Sequence, residues 1–147
     1  MASTEVATRK VAALERAMID AALPIPEIET SHFFADGMYA RVLKRPKETL
    51  IVGKVHKKEH LYIVTKGSVA VMQDDRPAQV YAAGDVIVSK PGTKRAVLAL
   101  EDSICMTVHR TDRTDLDEIE EELIEPSAMA LFDARNELKR AALKGTE

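Results

Sequence analysis

Gly53-Lys54-Val55-His56-Lys57-Lys58-Glu59-His60-Leu61-Tyr62-Ile63-Val64-Thr65-Lys66-Gly67 is the stretch on which the fold turns. It sets two of the chain's four histidines four residues apart, on what reads as a strand pair followed by a turn glycine. Seventeen residues past Gly67 a second glycine-bearing block begins, from Gly84-Asp85 through Pro91-Gly92-Thr93. A strand–turn–strand unit used twice is how small β-barrels enclose a pocket.

Working outward, short runs with β character recur between turn signals. Strands are expected over 38–43, 49–55, 60–65, 68–73, 79–82, 86–89, 96–100 and 104–109. Asp36-Gly37, Lys66-Gly67, Ala83-Gly84-Asp85, Pro91-Gly92 and Glu101-Asp102 punctuate them, and 74–77 reads as a loop. Strands of this length and spacing predict an all-β domain with flanking helices, an antiparallel sandwich or barrel.

Helical patterns lie on either side. Over 5–23, Val6, Val11, Leu14, Met18, Ile19 and Leu23 form a helical stripe, with Ser3 or Thr4 as N-cap and Pro24 and Pro26 as the stop. Such a helix must cover something, either the barrel or a second subunit. Thr114 is placed to cap a helix over 115–124 whose acidic first turns suit the helix dipole, and Pro126-Ser127 breaks it before a last helix over 128–143. The expected organisation is therefore a helical arm at 1–27, a barrel at 28–112 and a helical segment at 113–147.

Length and composition narrow the function classes. With 147 residues, 46% hydrophobic and 31% charged, the chain can bury a core without staples. A net charge of −3 argues against nucleic-acid binding driven by bulk electrostatics. Charge is uneven: residues 41–66 carry eight Lys/Arg against two Glu, and 112–125 carry eight Asp/Glu against one Arg. The plain reading is two solvated faces of opposite sign; the sharper one turns some basic residues into a pocket for an anion. A single cysteine, Cys105, fits a reducing compartment and reads as a buried, inert thiol on an apolar strand. No signal-peptide pattern and no apolar run long enough to span a bilayer is present, so no membrane partner and a cytoplasmic location are expected.

The two blocks resemble the cupin superfamily. Its first motif is Gly, five residues, His-x-His, three or four residues, Glu, six residues, Gly; its second is Gly, five residues, Pro-x-Gly, two residues, His, three residues, Asn. Counting back from Gly67 puts His60 at the motif's glutamate, His56 at its second histidine and Lys54 at its first. In the second block Gly84-Asp85 opens the motif and Pro91-Gly92 makes its turn, with one residue of slack, and Arg95 takes the place of the last histidine. The resemblance covers about residues 37–110 and implies an antiparallel jelly-roll β-barrel. Of the four usual metal-ligand positions two are histidine here and two are cations. More narrowly, 33–41, 53–60, 91–95, 101–102 and 114–124 look like small cupins encoded by tailed bacteriophages, which would place the protein in the cytoplasm of a host cell.

Two chemistries follow. Residues of one parity on a strand share a face, so Lys54 and His56 pair on one strand and His60, Tyr62 and Val64 on the next. A turn at 57–59 would fold His56 and His60 together, with His109 as a third ligand and His32 as a weaker fourth. Neutral imidazoles suit a divalent transition metal such as Zn, Ni, Fe or Mn, and a metal-dependent isomerase, lyase or dioxygenase would follow. Cations at Lys54 and Arg95 oppose a metal in a dry pocket. Together with Lys94 and Arg41 they would instead make a donor-rich cavity for a small anionic metabolite, as in a non-catalytic cupin that binds or sequesters an anionic sugar or nucleotide derivative. Tyr62 is either a general acid or a pocket wall. A structural role as a homodimer, with the outer helices as contact surfaces, is a third reading.

Overall fold

A computed structural model describes residues 28–73, 77–126 and Ala134. The helices expected over 5–23 and 128–143 lie outside the described residues, as do loop positions 74–76. The described residues form nine strands: β1 (Glu29–Ala35), β2 (Met38–Arg45), β3 (Leu50–Val52), β4 (His60–Lys66), β5 (Ser68–Gln73), β6 (Gln79–Ala82), β7 (Val86–Ser89), β8 (Arg95–Ala99) and β9 (Ser103–Arg110). One helix follows, α1 (Leu116–Leu123).

Strand order is β1-β2-β9-β4-β7 in a five-stranded sheet and β3-β8-β5-β6 in a four-stranded one, with every strand pair antiparallel. This is an antiparallel jelly-roll barrel. Alternation decides which side chains enter it. On β9, Ser103, Cys105, Thr107 and His109 are all buried, and on β2 Tyr39, Leu43 and Arg45 are. Register then stacks the inward positions in layers. Tyr39 stands opposite His109, Arg41 opposite Thr107, Leu43 opposite Cys105 and Arg45 opposite Ser103. On the far side of β9, Tyr62 of β4 pairs with Thr107, and Val64 with Cys105.

The interior is thus divided. Tyr62, Val64, Val69, Val71, Val97 and Cys105 pack as one apolar cluster between the sheets, each aliphatic member contributing roughly 1.5–3 kcal/mol by burial. Histidines and arginines occupy the layers beside it. Aliphatic side chains plug one part of the barrel and leave the rest polar.

Three expectations about elements need correction. The strand expected over 49–55 is only Leu50–Val52, because after Gly53 N–H donates to the Arg95 carbonyl at 2.8 Å the chain leaves the sheet. The helix cap is Asp115, not Thr114: its carboxylate accepts from the backbone N–H of Asp117 (2.9 Å) and Glu118 (3.1 Å). A whole strand, β1, was missing from the expectation; it pairs with β2 from Glu29–Lys44 to Ala35–Met38. Gly67, by contrast, has the turn role expected of it. Its φ is +77°, and a Cβ there would meet Ser103 Oγ and stand 2.6 Å from the Asp102 carbonyl, so only glycine lets β4 turn into β5 this close to the 102–103 backbone. Among the described residues no helix is long and apolar enough to cross a membrane.

Candidate functional site

His60 begins β4 and His109 lies near the end of β9, two neighbouring strands whose inward faces bring both rings into the barrel. His56 reaches the same point by another route. It belongs to no strand; the irregular segment between β3 and β4 is stitched to the end of α1, where Lys57 N–H donates to the Leu123 carbonyl (2.7 Å) and Glu125 N–H to that of Val55 (2.9 Å). The expectation that Lys54 and His56 share a strand face is therefore wrong, although His56 still meets its partners.

The three imidazoles form a compact group. Ring centroids are 4.2 Å apart for His56 and His60, 4.6 Å for His60 and His109, and 5.3 Å for His56 and His109. One ring nitrogen from each lies within 4.8 Å of the others. Burial lowers all three from the ordinary 6.5, His60 to about 4 against the Lys58 carbonyl's hydrogen bond, His109 to about 3 and His56 to about 2; the Arg41 guanidinium adds to the effect at each, Arg95 at His56 and His60, and neighbouring histidines at His56 and His109. At neutral pH all three are uncharged and carry a lone pair. The Lys58 carbonyl can only accept, so His60 Nδ1, 3.4 Å away, carries the ring proton and leaves Nε2 for a ligand. Thr107 Oγ1 lies 2.9 Å from His109 Nε2 and orients that ring. The donor set fits a divalent transition metal: three neutral nitrogens with open positions for other ligands.

His32 does not join the group. Its Nδ1 lies 2.6 Å from the Tyr39 hydroxyl, which also accepts from Arg41 Nε at 3.0 Å. Tyr39 stacks on His109 with centroids 5.8 Å apart, so it is the wall between His32 and the cluster.

A cavity of about 100 Å³ adjoins His56 and His60, walled by Leu43, Ile51 and Val97 and lined by Arg41, Arg45, Lys54, Tyr62 and Arg95. That volume holds several waters or one small organic molecule. Arg95 Nε donates to Gln73 Oε1 at 2.8 Å, and its guanidinium lies 5.2 Å from the centre of the Tyr62 ring. Lys54 forms an ion pair with Glu120 of α1. Lys94 is buried but does not line this cavity, so its expected part in ligand binding has no support in its position. Tyr62 does line it. Burial raises its hydroxyl to about 12 against the pull of Arg45, so it is a proton donor at neutral pH and no base.

The two oppositely charged stretches, though largely solvated, are not separate faces. Besides the Lys54–Glu120 pair, Lys58 pairs with Glu122 at 3.1 Å and Lys57 Nζ donates to the Glu121 carbonyl at 2.9 Å, so the acidic helix docks on the basic segment. Sequence reasoning missed Tyr39, Gln73, Thr107 and Arg45. Strand parity counted from His109 would have selected Thr107, and extending the 38–43 strand by two residues would have selected Arg45.

No protein-family model and no curated protein matches this chain. Solved structures do. The structure of KdgF from Halomonas sp. superposes with a TM-score of 0.52 at 19% identity, covering 61% of this chain and 83% of that one. An RmlC-like cupin from Shewanella frigidimarina gives 0.51 at 19% identity, over 60% and 80% of the two chains. The plu4264 protein from Photorhabdus luminescens gives 0.51 at 18%, over 56% and 73%. At these identities the likeness establishes the fold, the cupin jelly roll, and no activity.

Proposed function

We propose that this protein is a small cupin that holds one divalent transition metal on His56, His60 and His109 and takes a small anionic metabolite in the adjoining cavity. One observation carries the reading: three uncharged imidazoles converge, with nitrogens inside 4.8 Å, and two of them, His56 and His60, line a cavity shared with arginines. The cations at two of the motif's ligand positions do not defeat it. Lys54 is drawn to Glu120 and Arg95 to Gln73 and the Tyr62 ring, and His109 supplies the third imidazole from outside the motif.

When bound, the metal would supply Lewis-acid chemistry, polarising an oxygen of the bound molecule. The chain's own residues have distinct parts. Thr107 holds the His109 ring, Arg41 and Arg95 attract the anion, and Tyr62 offers a protonated hydroxyl to it. Isomerase, lyase and dioxygenase chemistry all fit such a site. The second reading, a binding cupin without catalysis, rests on Arg41 and Arg95 lining the same cavity.

Elemental analysis of the purified full chain, expressed with metals supplied, tests the proposal. About one transition metal per chain is expected, with stoichiometric binding lost in His56→Ala, His60→Ala and His109→Ala. No metal in the wild-type protein would leave only the binding reading, which requires Arg95→Ala to abolish anion binding in a folded domain.

A further inference from the structure

The cavity wall away from the histidines carries a charge that its surroundings leave unmet. Arg45 closes β2 on its inward face at 7% exposure, and its Nε and Nη1 make no hydrogen bond among the described residues. The Tyr62 hydroxyl on β4, its residue 4% exposed, likewise meets no nitrogen or oxygen partner among the described residues and has only the weakly hydrogen-bonding Cys105 thiol beside it. Both residues line the one cavity, beside Arg41 and Arg95. Among the described residues that line it there is no Asp or Glu.

A buried guanidinium with unmade hydrogen bonds keeps its desolvation penalty with nothing to offset it. Removing the charge by deprotonation is closed to arginine. What satisfies such a group is an oxyanion, and the guanidinium suits a carboxylate. The apolar walls at Leu43, Ile51 and Val97 favour an organic acid with a carbon body over a bare inorganic ion, and the cavity of about 100 Å³ restricts it to a few carbons.

We infer that Arg45 and Tyr62 form a carboxylate-binding subsite, which fixes one end of a small organic acid while its other end faces the histidine cluster. The last clause rests on the metal reading; the subsite itself does not.

The test uses the chelator-treated full chain at constant ionic strength, with butyrate as probe, butyramide as its uncharged counterpart and inorganic phosphate as the competing oxyanion. Calorimetric titration and thermal melting are read together. Butyrate is expected to bind saturably and raise the melting temperature, and butyramide to do neither. Arg45→Met, which removes the unmet charge while keeping much of the volume, is expected to melt higher than wild type without ligand and to lose the butyrate response. Tyr62→Phe should weaken butyrate about threefold to tenfold, and Arg45→Lys, the fallback should the Met variant not fold, at least about tenfold.

An Arg45→Met protein that melts lower and still responds to butyrate would overturn the inference. So would equal responses to butyrate and butyramide, a stronger response to phosphate, or unchanged binding in Arg45→Lys. Metal content of the same chain as purified with metals supplied, measured before chelator treatment, separates the two proposals. A chain without metal that binds butyrate through Arg45 sinks the metal reading alone, and a metal-loaded chain indifferent to Arg45 sinks the subsite alone.

Discussion

Thr107 stands between the sheet and the chemistry. Its hydroxyl lies 2.9 Å from His109 Nε2, and its strand neighbour across β4 is Tyr62. A ring held by such a partner presents its other nitrogen in one orientation, and loss of a partner of this kind costs about 10–100-fold in metal affinity. Thr107→Val keeps shape and β-branching, so it should lower metal affinity within that range while the denaturation midpoint changes little. Chelator competition reads the first and urea titration the second; undiminished affinity would mean the hydroxyl does not orient the ring. His56 and His60 were legible from their four-residue spacing, and His109 from its place on a readable strand, although the strand face assigned to His56 was wrong. Thr107 and Tyr39 were not singled out, since a hydroxyl on an inward strand position has no sequence signature that separates a ligand's partner from an ordinary core residue. The ion pair of Lys54 was equally hidden, because Glu120 is 66 residues away and only the docking of α1 brings them together.

At the scale of elements, α1 does more than cover an open end. Ile119, Leu123 and Ile124 pack on Tyr39 of β2, with Leu116 against them. The Leu123 carbonyl at the helix end and the Glu125 N–H just beyond it also make the hydrogen bonds that place the 55–57 backbone, and with it His56. Ile119→Ala should therefore act twice. It removes a buried side chain at about 2–5 kcal/mol, and it loosens His56, so metal affinity should fall as well. Val71→Ala provides the contrast, because Val71 belongs to the apolar cluster between the sheets. Comparable destabilisation with unchanged metal affinity is expected there. If both variants lose metal equally, α1 has no specific hold on His56. The strands whose boundaries were read correctly, β5, β6 and β7, are short runs between strong turn signals. β1 was overlooked because most of its positions are exposed on both faces, which leaves its polar and aromatic residues without a clean alternation. β3 was drawn too long because composition does not reveal where a strand stops pairing and turns towards a helix that begins only at Leu116.

For the whole molecule, the buried histidines couple the fold to pH. Each binds its proton less readily in the folded chain than in the unfolded one, where the usual value of 6.5 applies; folded values are about 4 for His60, about 3 for His109 and about 2 for His56. Below pH 6.5 the unfolded chain takes up protons that the folded chain refuses, so the equilibrium moves towards unfolding. The contribution of these groups is complete above about pH 6.5. It falls as pH drops through the window between 6.5 and the folded values, and is exhausted only once the folded-state imidazoles are themselves charged. In the metal-free protein the urea midpoint should hold steady from pH 8 to 7 and then decline progressively towards pH 4.5, well before ordinary carboxylates titrate. The same shifts give metal binding the opposite profile. Because the folded site already holds neutral imidazoles, a metal has few protons to displace, and affinity for the folded chain should vary little between pH 7.5 and 5.5, where an exposed histidine site would weaken. A flat urea midpoint over the acid limb, or a metal affinity that collapses near pH 6.5, would show that these rings are solvated and that the cluster is not the sealed, uncharged donor set on which metal binding depends.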